Sequence, residues 1–224
     1  MNTSTRLYQA GQSIWFDNMD RVLLENGEMK RMIADGEIYG VTSNPSIFEK
    51  SIGSGVAYEE SLQTMAWAGL STEQIYLQLV LDDIQAAADL FKPLYEKTQG
   101  GDGYVSLEVS PLLARNTEDT IAEAKAIWAQ VSRPNLMIKV PATDEGIPAI
   151  EELIAQGINV NATLIFSIAQ YEKVMDAYIQ GLERRLDEGL DVDRVASVAS
   201  FFVSRIDTAV DFSLPEPAMR GKVA

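Results

Sequence analysis

Leu136-Met137-Ile138-Lys139-Val140-Pro141 is an apolar run interrupted by one lysine, and the reading of that lysine decides both fold and chemistry. A short, nearly continuous apolar run is the pattern of a strand buried on both faces, as in a parallel sheet. An ammonium group in such a strand is costly unless it is paired or neutralised. Desolvation favours the neutral amine, and a neutral amine on a rigid strand is a nucleophile suited to Schiff-base formation with a carbonyl compound. The alternative is an edge-strand lysine whose head reaches solvent along its own stem.

Outward from this run, similar stretches alternate with helical ones. Strands are expected at Ser13–Asn18, Ile38–Ser43, Tyr104–Val109, Leu136–Val140, Ile158–Leu164 and Ala196–Val203. Between them, Ser71-Thr72-Glu73-Gln74 and Ser167-Ile168-Ala169-Gln170 match the capping box of a helix start. Tyr171, Val174, Met175, Tyr178, Leu182 and Leu186 then form an apolar stripe at helical spacing, read as core packing. Thr117-Glu118-Asp119 places acid at another helix start. Residues 45–103 are too many for a simple crossover and are expected to hold extra helices, closed by the turn Gly100-Gly101-Asp102-Gly103. Pro215 and Pro217 should break the helix that starts near Ser204, and Arg220–Ala224 reads as the approach to another element. No linker divides the chain, so residues 1–224 read as one α/β domain of βα units. Six strands fall two short of a (β/α)₈ barrel.

Composition removes several kinds of chemistry. The 224 residues are 46% hydrophobic and 23% charged, ordinary values for a globular chain. With no cysteine and no histidine, disulfides, thiolate catalysis and histidine-based triads are excluded, and the commonest metal ligand is missing. Proton chemistry must therefore run on carboxylates, lysine, tyrosine or water. A net charge of −15 argues against nucleic acid as a partner. No run approaches the ~18 apolar residues of a membrane span, and the first fifteen residues do not resemble a secretion signal. A cytoplasmic protein with no membrane partner is expected. Asn161-Ala162-Thr163 fits a glycosylation acceptor but lies on an expected buried strand, and neither a calcium loop nor a dinucleotide glycine pattern is present.

Each strand carries a polar residue near its end: Asp17, Asn44 just beyond the second, Glu108, Lys139, Thr163 with Asn161 two before it, and Ser200. Strand ends of a parallel barrel build its active site. A Schiff-base reaction needs an amine, a proton shuttle for water loss, and an acid–base group at the broken bond. Glu108 and Thr163 could hold the shuttling water near Lys139, and Asp17 could exchange a proton with a sugar hydroxyl. Asn44, Asn161 and Ser200 could orient substrate hydroxyls. Either carboxylate could instead cap a helix or pair with a cation. Arg205, in the first turn of a helix, opposes the helix dipole unless an anion such as phosphate sits there; pairing with Asp207 or plain exposure is the alternative.

These residues, in this order, resemble the transaldolase family. The likeness runs through Ser13-Ile-Trp-Phe-Asp17-Asn-Met-Asp20, Gly40-Val-Thr-Ser-Asn44-Pro-Ser-Ile-Phe48, Ser106-Leu-Glu108-Val-Ser-Pro111, Met137-Ile-Lys139-Val-Pro-Ala-Thr143, Asn159-Val-Asn-Ala-Thr163-Leu-Ile-Phe-Ser167 and Ser200-Phe-Phe-Val-Ser-Arg205-Ile-Asp207. The resemblance implies a (β/α)₈ barrel of the class I aldolase type without metal or organic cofactor. It implies transfer of a dihydroxyacetone unit from fructose 6-phosphate or sedoheptulose 7-phosphate to glyceraldehyde 3-phosphate or erythrose 4-phosphate, in the pentose phosphate pathway. Lys139 would form the Schiff base and Asp17 would act at the cleaved bond. Glu108 and Thr163 would position water, Asn44, Asn161 and Ser200 would contact the bound unit, and Arg205 would hold phosphate. The family completes its barrel with two further strands and carries a second phosphate-binding arginine on the seventh. These 224 residues contain neither, so the expected fold is a barrel truncated after its sixth strand. Such a chain is either part of a longer protein or covers its open edges by self-association. A fructose 6-phosphate aldolase-like lyase and a non-catalytic fragment that binds sugar phosphate or a partner chain are the alternatives. The late position of Lys139 weighs against the lyase.

Overall fold

The computed structural model describes residues 2–222. All six expected strands form. They are β1 (Trp15–Asp17), β2 (Gly40–Thr42), β3 (Val105–Glu108), β4 (Leu136–Pro141), β5 (Val160–Ile165) and β6 (Ser197–Phe201). Four lie inside the expected bounds, β4 runs one residue further to Pro141, and β5 starts two residues later and ends one later. The sheet runs β1-β2-β3-β4-β5-β6, so strand order follows chain order, as in the first six strands of a (β/α)₈ barrel. Every residue of β4 is buried, as its composition requires of a central parallel strand.

The chain divides into two compact units, Met1–Ser110 with Glu123–Ile138, and Pro111–Ala122 with Lys139–Ala224. In the first unit, β1 pairs with β2 and β2 with β3, all parallel. α1 (Thr3–Gln9) precedes β1, and α2 (Arg21–Glu25) and α3 (Glu28–Ala34) connect β1 to β2. The long connection expected at 45–103 holds α4 (Pro45–Ser54), α5 (Glu59–Trp67) and the 26-residue α6 (Thr72–Lys97). α6 opens with the complete Ser71–Gln74 capping box, and its inner face buries Leu79, Ile84, Ala88 and Phe91. The turn into β3 uses positive φ at Gly100 and Gly103, and a Cβ on Gly103 would lie 2.5 Å from the Tyr95 nitrogen. α7 (Thr117–Val131) follows β3, its first turn prepared by Asn116, which accepts from the Asp119 N–H at 3.1 Å.

In the second unit, α8 (Gly146–Ala155) follows β4, α9 (Ile168–Asp187) follows β5, and α10 (Val203–Ser213) follows β6. α8 buries Ala149, Ile150, Leu153 and Ile154, and α9 buries Val174, Ala177 and Gly181, the last set against Glu151 and Ile154 of α8. Two details differ from the sequence expectation. The Ser167 hydroxyl caps α9 through the Gln170 N–H at 3.2 Å, but the Gln170 carboxamide does not return to Ser167 and close the box. Its oxygen accepts from the Phe166 N–H at 3.0 Å and its nitrogen donates to the Ala142 carbonyl, so it ties the ends of β4 and β5 together. Val203 belongs to α10 rather than β6. α10 stops at Ser213, ahead of Pro215 and Pro217, and a single 3₁₀ turn at Pro217–Met219 follows. The element expected at Arg220–Ala224 extends into residues 223–224, which lie outside the described residues. No helix among the described residues is long and apolar enough to cross a membrane.

Candidate functional site

Lys139 is 6% exposed, on a strand whose neighbours Ile138 and Val140 are wholly buried. The Ala142 N–H donates to the Thr163 carbonyl at 2.8 Å, which sets Pro141 across from Thr163 in a parallel ladder and Lys139, two residues earlier, across from Asn161. Side chains two apart share a face, and paired residues face the same way. Lys139, Asn161 and Thr163 therefore stand on one face of the second unit's sheet, with Asn161 2% and Thr163 1% exposed. On β6, Val198 pairs with Asn161, and Ser200, two beyond Val198, donates its hydroxyl to Asn161 Oδ1 at 2.8 Å. Four of the five candidate residues in this unit are thus assembled by register alone: an amine, an amide and two hydroxyls.

The register breaks immediately after Thr163. Leu164 has φ +59°, and the β5–β6 ladder shifts between Ala162 and Ile165. A leucine in left-handed conformation is strained by on the order of 1–2 kcal/mol, and a bulge of this kind re-aims the side chains beside it. The sequence gives no sign of it, because glycine or asparagine would be the usual occupant. Arg205 is the fifth candidate. It lies in the first turn of α10, exposed, with its guanidinium over the Phe202 ring at 4.3 Å. No ion pair among the described residues joins it to Asp207, so the pairing offered as an alternative does not form, and the stacked guanidinium keeps its donors available.

In the first unit, Asp17 pairs in register with Thr42, and Thr42 with Ser106. Glu108 lies two residues beyond Ser106, so Asp17, Thr42, Ser106 and Glu108 share one sheet face. Asp17 is exposed at the last position of β1, Glu108 is half-buried, and Ser106 is wholly buried. Thr42 and Ser106 escape a reading that looks only at strand ends. Their position two residues before Asn44 and Glu108 was the available signal. Asn44 has a structural duty: its side chain accepts from the Ile47 N–H at 3.0 Å and caps α4, with Pro45 at the first helical position. Behind it, the buried Ser43 hydroxyl donates to the Ser106 carbonyl at 2.8 Å.

A cavity of about 490 Å³ opens in the second unit at the starts of α8 and α9, walled by Arg115, Thr143, Asp144, Gln170 and Lys173 among others. None of the candidate residues lines it. Several of its polar side chains are engaged within the protein: Thr143 donates to the Ala114 carbonyl at 2.6 Å, and Lys173 bonds Asp144 at 2.9 Å, holding that carboxyl below the usual range. Among the described residues no group of three or more carboxylates could hold a metal ion.

Parallel βα units in chain order, with a buried lysine in the fourth strand and amide and hydroxyl groups on its face, define a barrel-type α/β protein with a candidate amine nucleophile. The chain belongs to the transaldolase/fructose-6-phosphate aldolase family, whose sequence profile matches residues 14–223. It is 46% identical over 221 residues to Transaldolase 2 of Nostoc sp. (strain PCC 7120 / SAG 25.82 / UTEX 2576), covering 99% of this chain and 58% of that one. It is 49% identical to the transaldolase of Thermobifida fusca (strain YX), covering 98% and 61%, and 46% identical to that of Thiobacillus denitrificans (strain ATCC 25259 / T1), covering 100% and 64%. The chain therefore spans about three-fifths of the length of these curated relatives.

Proposed function

We propose that this chain carries transaldolase chemistry: transfer of a dihydroxyacetone unit between sugar phosphates through a Schiff base on Lys139. The observation that carries this reading is the burial of Lys139, 6% exposed, on the sheet face that holds Asn161, Thr163 and Ser200. The identity of 46–49% to named transaldolases supports it.

The Lys139 amine adds to the C2 carbonyl of a ketose phosphate and loses water, giving a protonated imine. Asp17 takes the proton of the C4 hydroxyl, and the C3–C4 bond breaks. The electron pair of that bond enters the imine to leave an enamine, and an aldose phosphate departs. C3 of the enamine attacks the acceptor aldehyde, Asp17 returns its proton to the new alkoxide, and water releases the ketose and regenerates the amine. Glu108 and Thr163 hold the water that is lost and regained. Asn44, Asn161 and Ser200 bond the hydroxyls of the bound unit, and Arg205 holds phosphate with its planar fork. This places the chain in the pentose phosphate pathway of the cytoplasm, with sugar phosphates as its small-molecule partners. Self-association through the β1 and β6 ends of the sheet order is part of the same reading, supported by the exposure of Ile168, Ile179 and Phe212 in the second unit.

The test is borohydride reduction of the chain with fructose 6-phosphate, followed by peptide mass mapping. A reduced adduct on Lys139, absent in Lys139→Met, is expected; a folded chain that gives none overturns the Schiff-base reading. Aldose phosphate release that needs no acceptor would move the assignment to the aldolase branch of the family.

A further inference from the structure

A buried ionic network that the chemistry above does not use joins α2 to the helical excursion between β2 and β3. Arg21, Tyr58 and Asp83 are 8%, 1% and 2% exposed. Arg21 Nε donates to Asp83 Oδ1 at 2.7 Å, and the Tyr58 hydroxyl donates to Asp83 Oδ2 at 2.7 Å. The guanidinium lies 4.4 Å from the Tyr58 ring centroid and also donates to Ser61 Oγ at 3.2 Å and the Leu79 carbonyl at 3.4 Å. The backbone N–H of Arg21 donates to the same Tyr58 oxygen at 3.2 Å, and Ser51 bonds it at 3.0 Å. Arg21 is the first residue of α2, so the network grips the start of that helix by both side chain and backbone.

Only Asn18, Met19 and Asp20 separate Arg21 from Asp17. Met19 is wholly buried, and Asp20 caps α2 through the Val22 N–H at 2.8 Å. Asp17 itself ends a strand of three residues that lies first in the sheet order. A strand so short fixes its last side chain poorly from one side. The network fixes it from the other. Apolar packing could bury the same area at lower electrostatic cost, since a buried ion pair contributes little net stability. Hydrogen bonds add what packing does not, a single orientation for the groups they hold.

We propose that Arg21, Tyr58 and Asp83 are positioning residues for Asp17, and that the excursion at 45–103 serves to lock the turn from which the acid–base group is presented. The proposal rests on the reading of Asp17 as the group at the cleaved bond. Schiff-base formation at Lys139 precedes that step and does not need Asp17, so the two steps separate the possibilities. In Tyr58→Phe, which removes the hydroxyl and keeps the ring, the borohydride adduct with fructose 6-phosphate should form within twofold of wild type. Release of glyceraldehyde 3-phosphate from fructose 6-phosphate, with erythrose 4-phosphate present as acceptor of the dihydroxyacetone unit, should fall by about 10²-fold, the loss expected from a misplacement of about 1 Å. Amide exchange at residues 17–21 should accelerate while that of β5 is unchanged. Ser51→Ala, which removes one bond to the same hydroxyl, should give the same split at smaller amplitude and serves if Tyr58→Phe does not fold.

A variant that loses neither step, or loses both in equal proportion, overturns the proposal. So does a wild-type chain that forms the adduct but releases no aldose phosphate, because Asp17 is then not held productively. Absence of the wild-type adduct is a different result, and removes the Schiff-base reading on which the proposal stands.

Discussion

Gly181 is the sharpest test of how α8 and α9 are held behind the strands that carry Lys139 and Thr163. A Cβ at this position would sit 2.7 Å from the Glu151 carbonyl oxygen and 2.8 Å from both Cβ and Cγ2 of Ile154. Ordinary contacts lie near ~3.5–4.0 Å, so Gly181→Ala asks the helices to part by roughly 0.7–1 Å. The obstructing atoms are a backbone oxygen and the branch point of an isoleucine, neither of which can swing aside. Overpacking of that kind costs about 2–3 kcal/mol, towards the upper end of the usual range. Replacing glycine by alanine inside a helix returns about 1 kcal/mol. The net expectation is a loss of about 1–2 kcal/mol, or about 2–8 °C in Tm for a chain of this size. Gly53, exposed in α4 with nothing within 4 Å of its missing Cβ, provides the internal control. Gly53→Ala should hold Tm or raise it by no more than about 1 kcal/mol of stability. Circular dichroism melts and urea titrations of the two variants beside wild type measure both. An unchanged or raised Tm in Gly181→Ala would refute the close-packing argument, since helix propensity alone would then have decided the sign.

Removing the Ser200 hydroxyl should cost about 0.5–1.5 kcal/mol, and a double-mutant cycle of Ser200→Ala with Asn161→Ala should return a coupling of similar size in urea titrations. A coupling near zero would mean that the 2.8 Å bond contributes nothing to stability. Burial, with the Asp83 hydrogen bond next, pushes the Tyr58 phenol up to about 12. A raised folded-state value means that this contribution is complete below the ordinary value of about 10 and is lost as pH climbs through about 12. Urea midpoints of wild type should therefore fall more steeply between pH 10 and 12 than those of Tyr58→Phe, and parallel slopes would contradict it. Ser132 ends α7 with φ +50° in an exposed position. Ser132→Gly should raise stability by up to about 1 kcal/mol, and a lower melting temperature would show that the serine side chain contributes more than its backbone strain costs.

The strands were legible because parallel strands buried on both faces need apolar residues at nearly every position, and that pattern survives without any tertiary knowledge. Their ends were not. Ser13, Ile14 and Asn18 fall outside β1, although the Ile14 carbonyl still accepts from the Tyr39 N–H at 2.8 Å, and Val203, as good a strand former as its neighbours, starts α10. Local polar signals were legible to the same degree. Ser71 and Gln74 form the full capping box because nothing competes for the glutamine, whereas Gln170 finds Phe166 and Ala142 within reach and leaves the box half made. Asn44 shows the same ambiguity from the other side: an asparagine before proline can cap a helix whatever else it touches, and here it does.

The sequence alone determined the alternation of strand and helix and singled out Lys139, because both follow from burial free energies written into neighbouring residues. Which polar groups share a face was decided only by register. One residue of slip would have turned Asn161 and Thr163 away from the lysine, and the bulge at Leu164 ends that register by a strain no sequence pattern announces. The clamp of Arg21 on Asp83, 62 positions away along the chain, was equally beyond a local reading. Periodicity speaks only for residues that are neighbours on one element. Pairing across elements is set by where the folded backbone brings them.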